Sequence, residues 1–323
     1  MDVCGSVLET IGGTPLVELR RIAGRARGRV FAKLELLNPG GSIKDRSALA
    51  IVEAAERQGQ LKKGGTVIEL TSGNMGTGLA VVCAVKGYPM IAVMSEGNSE
   101  ERRQMLRAVG AKVVVVPQVG TKRPGQVSRE DLEAVDRETT RLTRQLKAFR
   151  ADQFHNEFNV RAHELMTGRE IWEQTEGRVT AFVTSIGSGG TFIGVSRFLK
   201  KSNPSVKCFA AEPASAPFIA GRRVTSTSHK IQGTGYALKP PLWDDDLCDG
   251  FLTATDQEAI RYARLLGRKE GIFAGFSSGA NVACAMKLAR KAERGDVVVT
   301  VLPDTGLKYL STDLIASNSV SSQ

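Results

Sequence analysis

The chain is poor in aromatics, histidine and cysteine, and each shortage closes off a class of function. Aromatic residues make up 6% of the 323 positions and nowhere alternate with basic ones. A base-stacking nucleic-acid surface is therefore not expected. The three histidines (His155, His163, His229) have no acids or cysteines at ligand spacing, so no metal site is expected. They also supply no triad partner for Gly275-Phe276-Ser277-Ser278-Gly279, which has nucleophile-elbow spacing but no strand of any length before it. The five cysteines (Cys4, Cys83, Cys208, Cys248, Cys284) are odd in number, scattered and without a Cys-x-x-Cys pair. Neither a disulfide framework nor a zinc knuckle is indicated. No apolar run approaches membrane-spanning length, and Met1–Gly5 lacks the basic and apolar regions of a secretion signal. A cytoplasmic location, with no membrane partner, is the expectation. Internal repeats and low-complexity tracts are also missing.

What is present is a soluble α/β composition, 41% hydrophobic and 24% charged, long enough for two domains or one large unit. The net charge of +10 is dispersed among acids, as in Glu100-Glu101-Arg102-Arg103. It points to anionic small ligands and away from nucleic acid. Strand-like runs alternate with helix-like ones: strands at 29–36, 66–70, 90–94, 112–117, 180–186, 206–211 and 297–302. Helices are expected at 45–57, 76–86, 99–109, 128–150, 163–175, 191–201, 256–267 and 279–293. Such alternation argues for parallel sheets covered by helices. Residues 120–125 read as a polar loop, 213–250 as loop-rich, and the tail 318–323 as frayed. Ser128 with Asp131 reads as a helix cap with an acidic first turn.

The organising stretch is Asn38-Pro39-Gly40-Gly41-Ser42-Ile43-Lys44-Asp45-Arg46. A glycine turn runs into Ser42, an expected N-cap, and places Lys44 in the first turn of a helix. There the local potential is positive, so the amine is biased toward its neutral, nucleophilic form. A solvated lysine on a surface helix is the plainer alternative. Two further glycine- and hydroxyl-rich turns, Thr71-Ser72-Gly73-Asn74-Met75-Gly76 and Gly187-Ser188-Gly189-Gly190-Thr191, each join a strand to a helix. Such turns cradle phosphate or carboxylate on backbone N–H groups. A dinucleotide site competes, with Glu212 as a ribose acid, but the third fingerprint glycine would fall at Phe192.

Taken in order, these motifs resemble the cysteine synthase and cystathionine β-synthase family. Gly13-Thr14-Pro15-Leu16, Glu101-Arg102-Arg103, Thr167-Gly168-Arg169-Glu170-Ile171-Trp172, Gly275 to Gly279 and Asp304 to Thr312 add to the resemblance, which spans roughly residues 5–315. It implies a tryptophan synthase β-like α/β fold of two domains, each with a mostly parallel twisted sheet flanked by helices. The split would fall at 1–150 and 151–323, with residues about 13–35 packing with the second domain. It implies pyridoxal phosphate as cofactor, Lys44 as the Schiff-base lysine and general base, and Asn74 on the ring oxygen. Gly187, Ser188, Gly189, Gly190 and Thr191 would cradle the phosphate, and Ser277 would meet the pyridine nitrogen. Thr71, Ser72, Gly73, Met75, Gln153, Gly233 and Tyr236 would form the substrate site. The implied reaction is β-replacement on O-acetylserine or O-phosphoserine through an aminoacrylate, by a homodimer, with a small nucleophile as second substrate.

The chain departs from the family pattern around one pocket. Met75 stands where O-acetylserine-using members have threonine. Ser95-Glu96-Gly97-Asn98-Ser99 replaces a Pro-Glu-Thr-Met-Ser stretch, and Tyr236 enlarges a small glycine loop and narrows the entrance. These changes leave open ordinary cysteine synthesis, a diaminopropionate-type product from an amine acceptor, serine or threonine dehydration, and a non-catalytic binding role.

Overall fold

The computed structural model describes residues 3–119 and 127–315, and the expected 120–125 loop and frayed tail lie outside them. The first elements are β1 (Leu16–Glu18), α1 (Arg20–Ala23), β2 (Arg29–Lys33), α2 (Lys44–Arg57), β3 (Val67–Leu70) and α3 (Asn74–Lys86). Next come β4 (Met90–Ser95), α4 (Glu100–Ala108), β5 (Lys112–Val116), α5 (Arg129–Leu146), β6 (Phe149–Arg150), α6 (Glu157–Ala162) and α7 (Arg169–Gln174). The chain closes with β7 (Ala181–Ser185), α8 (Gly190–Ser202), β8 (Lys207–Pro213), β9 (Gly250–Ala254), α9 (Asp256–Leu265), α10 (Phe276–Lys291) and β10 (Val297–Val301).

The strands form two sheets, in the orders β1-β2-β10-β7-β8-β9 and β5-β4-β3-β6. Every pairing is parallel except that of β1 with β2. Parallel sheets need helices on both faces, and the central strands read accordingly as continuous apolar runs. β4 (Met-Ile-Ala-Val-Met-Ser) and β10 (Val-Val-Val-Thr-Val) are buried at every position. Successive side chains of β10 serve opposite faces: Val298 packs with α9 and α10, whereas Val297, Val299 and Val301 pack with α8. The smaller sheet is covered by α2 and α3 on one face and by Val135 of α5 on the other.

Three expectations are corrected. The charged helix after Ser128 stops at Leu146, Lys147 takes a left-handed C-cap with φ 51°, and Phe149–Arg150 turn into a strand beside β3. The capping box of Ser128 and Asp131 does form. The helix expected over 163–175 begins earlier, at Glu157, and its first half is a widened turn at His163–Gly168, where Gly168 lies against α8. A Cβ on Gly168 would meet that of Phe198 at 2.8 Å. The third is β9, which adds a half-buried edge strand where no strand was anticipated.

The carboxyl ends of β3, β7 and β10 point to one place. Leu70, Ser185 and Val301, the last residues of these strands, line a single cleft. Crevices at the carboxyl ends of parallel strands are where open α/β sheets bind ligands.

Candidate active site

Four helices begin at this cleft among the described residues. Lys44 opens α2, Asn74 opens α3, Gly190 opens α8 and Ser277 is the second residue of α10; all four line the cleft. First-turn amides have no partner within their own helix, and their dipoles give each N-terminus a positive potential. Converging four of them builds a site for an anion.

The turn before Lys44 is held from outside. Ile43 N donates to Pro303 O at 2.8 Å, Thr305 N donates to Gly41 O at 3.1 Å, and Ser42 bridges Asp304. The expected cap is shifted by one residue: Ile43 occupies the cap position of α2, and the Ser42 hydroxyl accepts from Lys44 N at 3.3 Å. Gly40 is required here, since a Cβ would lie 2.6 Å from Asp45 Oδ1. The Lys44 amine forms no ion pair among the described residues. Burial pushes its pKa below the usual lysine value, against the weaker pull of Asp304 and Glu35.

The glycine turn after β7 is backed by a polar network. Gly189 has φ +86°, and a Cβ on Gly190 would lie 2.4 Å from Asn159 Oδ1. Asn159 donates to Ser188 Oγ at 2.9 Å and to Gln153 O at 2.8 Å, and accepts from Ser47 Oγ at 2.7 Å. The fully buried His163 lies 3.3 Å from Thr191 Oγ1 and 3.0 Å from Thr167 Oγ1. Burial and then the charges of Lys44 and Arg46 lower its pKa well below the ordinary value, so it serves this network as a neutral ring.

The turn after β3 carries Thr71, Ser72 and Gly73. Thr71 Oγ1 accepts from Gly73 N and Gly76 N, both at 2.9 Å, and so caps α3 from within the turn. Arg102 donates to Ser72 O, and Ser72 and Tyr236 both line the cleft. Tyr236 also packs edge-on to Phe154 at 6.1 Å, on the loop that carries Gly233. Gln153 is fixed through Glu69, whose carboxylate accepts from Asp152 N at 2.8 Å and Gln153 N at 3.3 Å. Burial raises Glu69 to about 7. Met75 touches the cleft but is 2% exposed, its thioether packed in the core beneath α3.

All fifteen residues anticipated as a site line this one cleft. Sequence reasoning missed the groups behind them. Glu69 and Asn159 lie in no motif read above, Asp304 and Lys308 sit in the Asp304–Thr312 motif with no role attached to them, and His163 is read above only against a triad or a metal site.

Residues 7–304 match the family model described as pyridoxal-phosphate dependent enzyme. A cysteine synthase of Staphylococcus aureus is 40% identical over 310 residues, covering 96% of each chain. The crystal structure of O-ureido-L-serine synthase superposes with a TM-score of 0.91 at 39% identity, covering 99% of this chain and 98% of that one. The O-acetylserine-dependent cystathionine β-synthase of Helicobacter pylori gives a TM-score of 0.88 at 32% identity, covering 97% and 99%.

Proposed function

The chain belongs to the pyridoxal-phosphate-dependent enzyme family, and on that premise we propose that it catalyses β-replacement on an O-activated L-serine. The observation that carries the reading is the Lys44 amine, half-buried, without an ion-pair partner among the described residues and set among four helix N-termini. The cleft fits the cofactor: a lysine amine for an aldehyde, and a glycine turn whose Cβ-free backbone leaves room for a phosphate. When bound, pyridoxal phosphate supplies an electron sink for the pair left behind at Cα.

In this assignment Lys44 holds the cofactor and, once freed by the incoming amino acid, takes the α-proton and later returns it. Gly187 to Thr191 would hold the phosphate at the start of α8, and Ser277 would meet the ring nitrogen. A neutral hydroxyl there does not enforce a ring proton, which suits loss of a β leaving group. Ser72, Gly73 and Gln153 receive the substrate carboxylate together with the Thr71 hydroxyl, while Tyr236 and Ser72 close the entrance and exclude water. Donors proposed are O-acetylserine and O-phosphoserine, and the product is L-cysteine or another β-substituted alanine.

A second reading concerns the acceptor. An open groove adjoins the cleft, sharing Ser72, Gln232, Gly233, Thr234 and Tyr236 with it, and is lined by polar groups such as Asn98, Ser128 and Thr227. That space favours an organic amine or amino-acid nucleophile over sulfide alone. The test is incubation of the purified protein with each donor, pyridoxal phosphate, and either sulfide or an amine, with products identified by mass spectrometry. Release of acetate or phosphate together with a new β-substituted alanine is expected. Pyruvate formed without an acceptor would mean a dehydratase, and an untouched donor would mean a binding protein.

A further inference from the structure

Behind Asn74, outside the lining of the cleft, lies a second lysine that the function proposed above does not use. Lys308, 2% exposed, lies in the turn after β10, 234 residues from Asn74. Its Nζ donates to Asn74 Oδ1 at 2.8 Å and to Gly40 O at 3.0 Å. From the other side, Asn74 Nδ2 donates to Asp304 Oδ2 at 2.8 Å, and Asp304 is fully buried. Tyr309 adds a third hold, its hydroxyl donating to the same Asp304 oxygen at 2.7 Å.

An asparagine amide is nearly symmetric in shape, so its two ends are told apart only by partners. Here the partners leave no choice. An ammonium has donors and no acceptor, so the end facing Lys308 must be the carbonyl. An ionised carboxylate only accepts, so the end facing Asp304 must be the NH₂. That NH₂ has two hydrogens, and Asp304 takes one. Asn74 itself stands at the wall of the cleft, as the first residue of α3. The same segment also reaches the turn that carries Ser72: Arg102, which donates to Ser72 O, lies over the Tyr309 ring at 5.2 Å.

We propose that Lys308 and Asp304 are positioning residues for Asn74, clamping its amide so that the second N–H is kept as a donor toward the cleft. The clamp rests on the reading that Asn74 faces the bound cofactor. Without it, the amide could turn its carbonyl toward an oxygen of the ligand and repel it. The predicted loss is that of one well-made hydrogen bond, about tenfold in affinity.

The test titrates cofactor-free protein with pyridoxal phosphate, following the visible absorption band and protein fluorescence, alongside a separate urea unfolding curve. Lys308→Met should raise the cofactor dissociation constant about tenfold and move the bound band as Asn74→Ala does. Lys308→Arg, which still donates, should restore most of both. Asp304→Asn, which keeps its volume but is no longer an obligate acceptor, should repeat the defect if Lys308→Met does not fold. The double variant Lys308→Met/Asn74→Ala should be no worse than Asn74→Ala alone, because one residue acts through the other. A Lys308→Met protein that unfolds more easily yet keeps the wild-type band and affinity overturns the clamp, and so does strict additivity in the double variant. Absence of any band in the wild-type protein would overturn the cofactor reading itself and the clamp with it.

Discussion

Two cations stand two residues apart on the first turn of α2, and the fold treats them in opposite ways. Arg46 is completely buried and enclosed by carboxylates: its Nε lies 2.7 Å from Glu35 Oε2 and its Nη1 2.5 Å from Glu170 Oε1. Lys33 joins the same cluster, 2.6 Å from Glu170, and Thr14 hydrogen-bonds both Glu35 and Arg46. Although burial alone would lower it, the carboxylates raise the pKa of Arg46 above the ordinary guanidinium value. Lys44 has no such partner, and burial lowers its pKa. The difference teaches that charge burial here is not a general tolerance. The fold supplies a matched ionic cluster where α2 is anchored to β2 and α7, and withholds one where an amine has to be nucleophilic.

The comparison can be broken from either end. Lys44→Ala should lower turnover by about 10³-fold or more, with a urea midpoint close to wild type, because no folded-state ion pair is lost. Arg46→Ala should do the reverse. It leaves the fully buried Glu35 without its ion-pair partner and Glu170 with Lys33 alone, and should cost about 3–5 kcal/mol of stability in urea unfolding. Equal loss of stability in the two variants would erase the distinction.

Glu69 sharpens it, as a buried carboxylate held by backbone N–H groups without an ion pair. Its folded pKa of about 7 exceeds the unfolded value of 4.5, so the folded chain binds the proton more readily. Stability should therefore rise as pH falls from 7 toward 4.5, by roughly 2–3 kcal/mol from this group. Unfolding curves of Glu69→Gln across that range should lack this contribution. The smallest effect belongs to the exposed edge of the sheet, where Glu18 meets Arg29 at 2.9 Å. Glu18→Gln should cost under about 1 kcal/mol, and less still in high salt.

How far the sequence reveals this molecule depends on where each residue finds its partners. β4 and β10 are legible because buried parallel strands are uniform apolar runs, and the glycine turns because their neighbours in sequence are also their neighbours in space. A two-residue strand such as β6 has no periodicity to read, and β9 is half-buried on an edge. The cleft-facing residues were found through motifs. Their supports were not: Asn159 meets Ser47 across 112 residues, and Lys308 meets Asn74 across 234. The start of α2 is likewise placed one residue later than Ser42, in a turn pinned to Pro303 and Thr305 from the far end of the chain.

The most direct measurement distinguishes the three buried or half-buried lysines around α2. Borohydride reduction of the protein loaded with pyridoxal phosphate, followed by peptide mapping, reports which amine carries the cofactor. A single pyridoxyl group on the peptide containing Lys44 is the expected result. An adduct on Lys33 or Lys308, or none on any lysine, would contradict it.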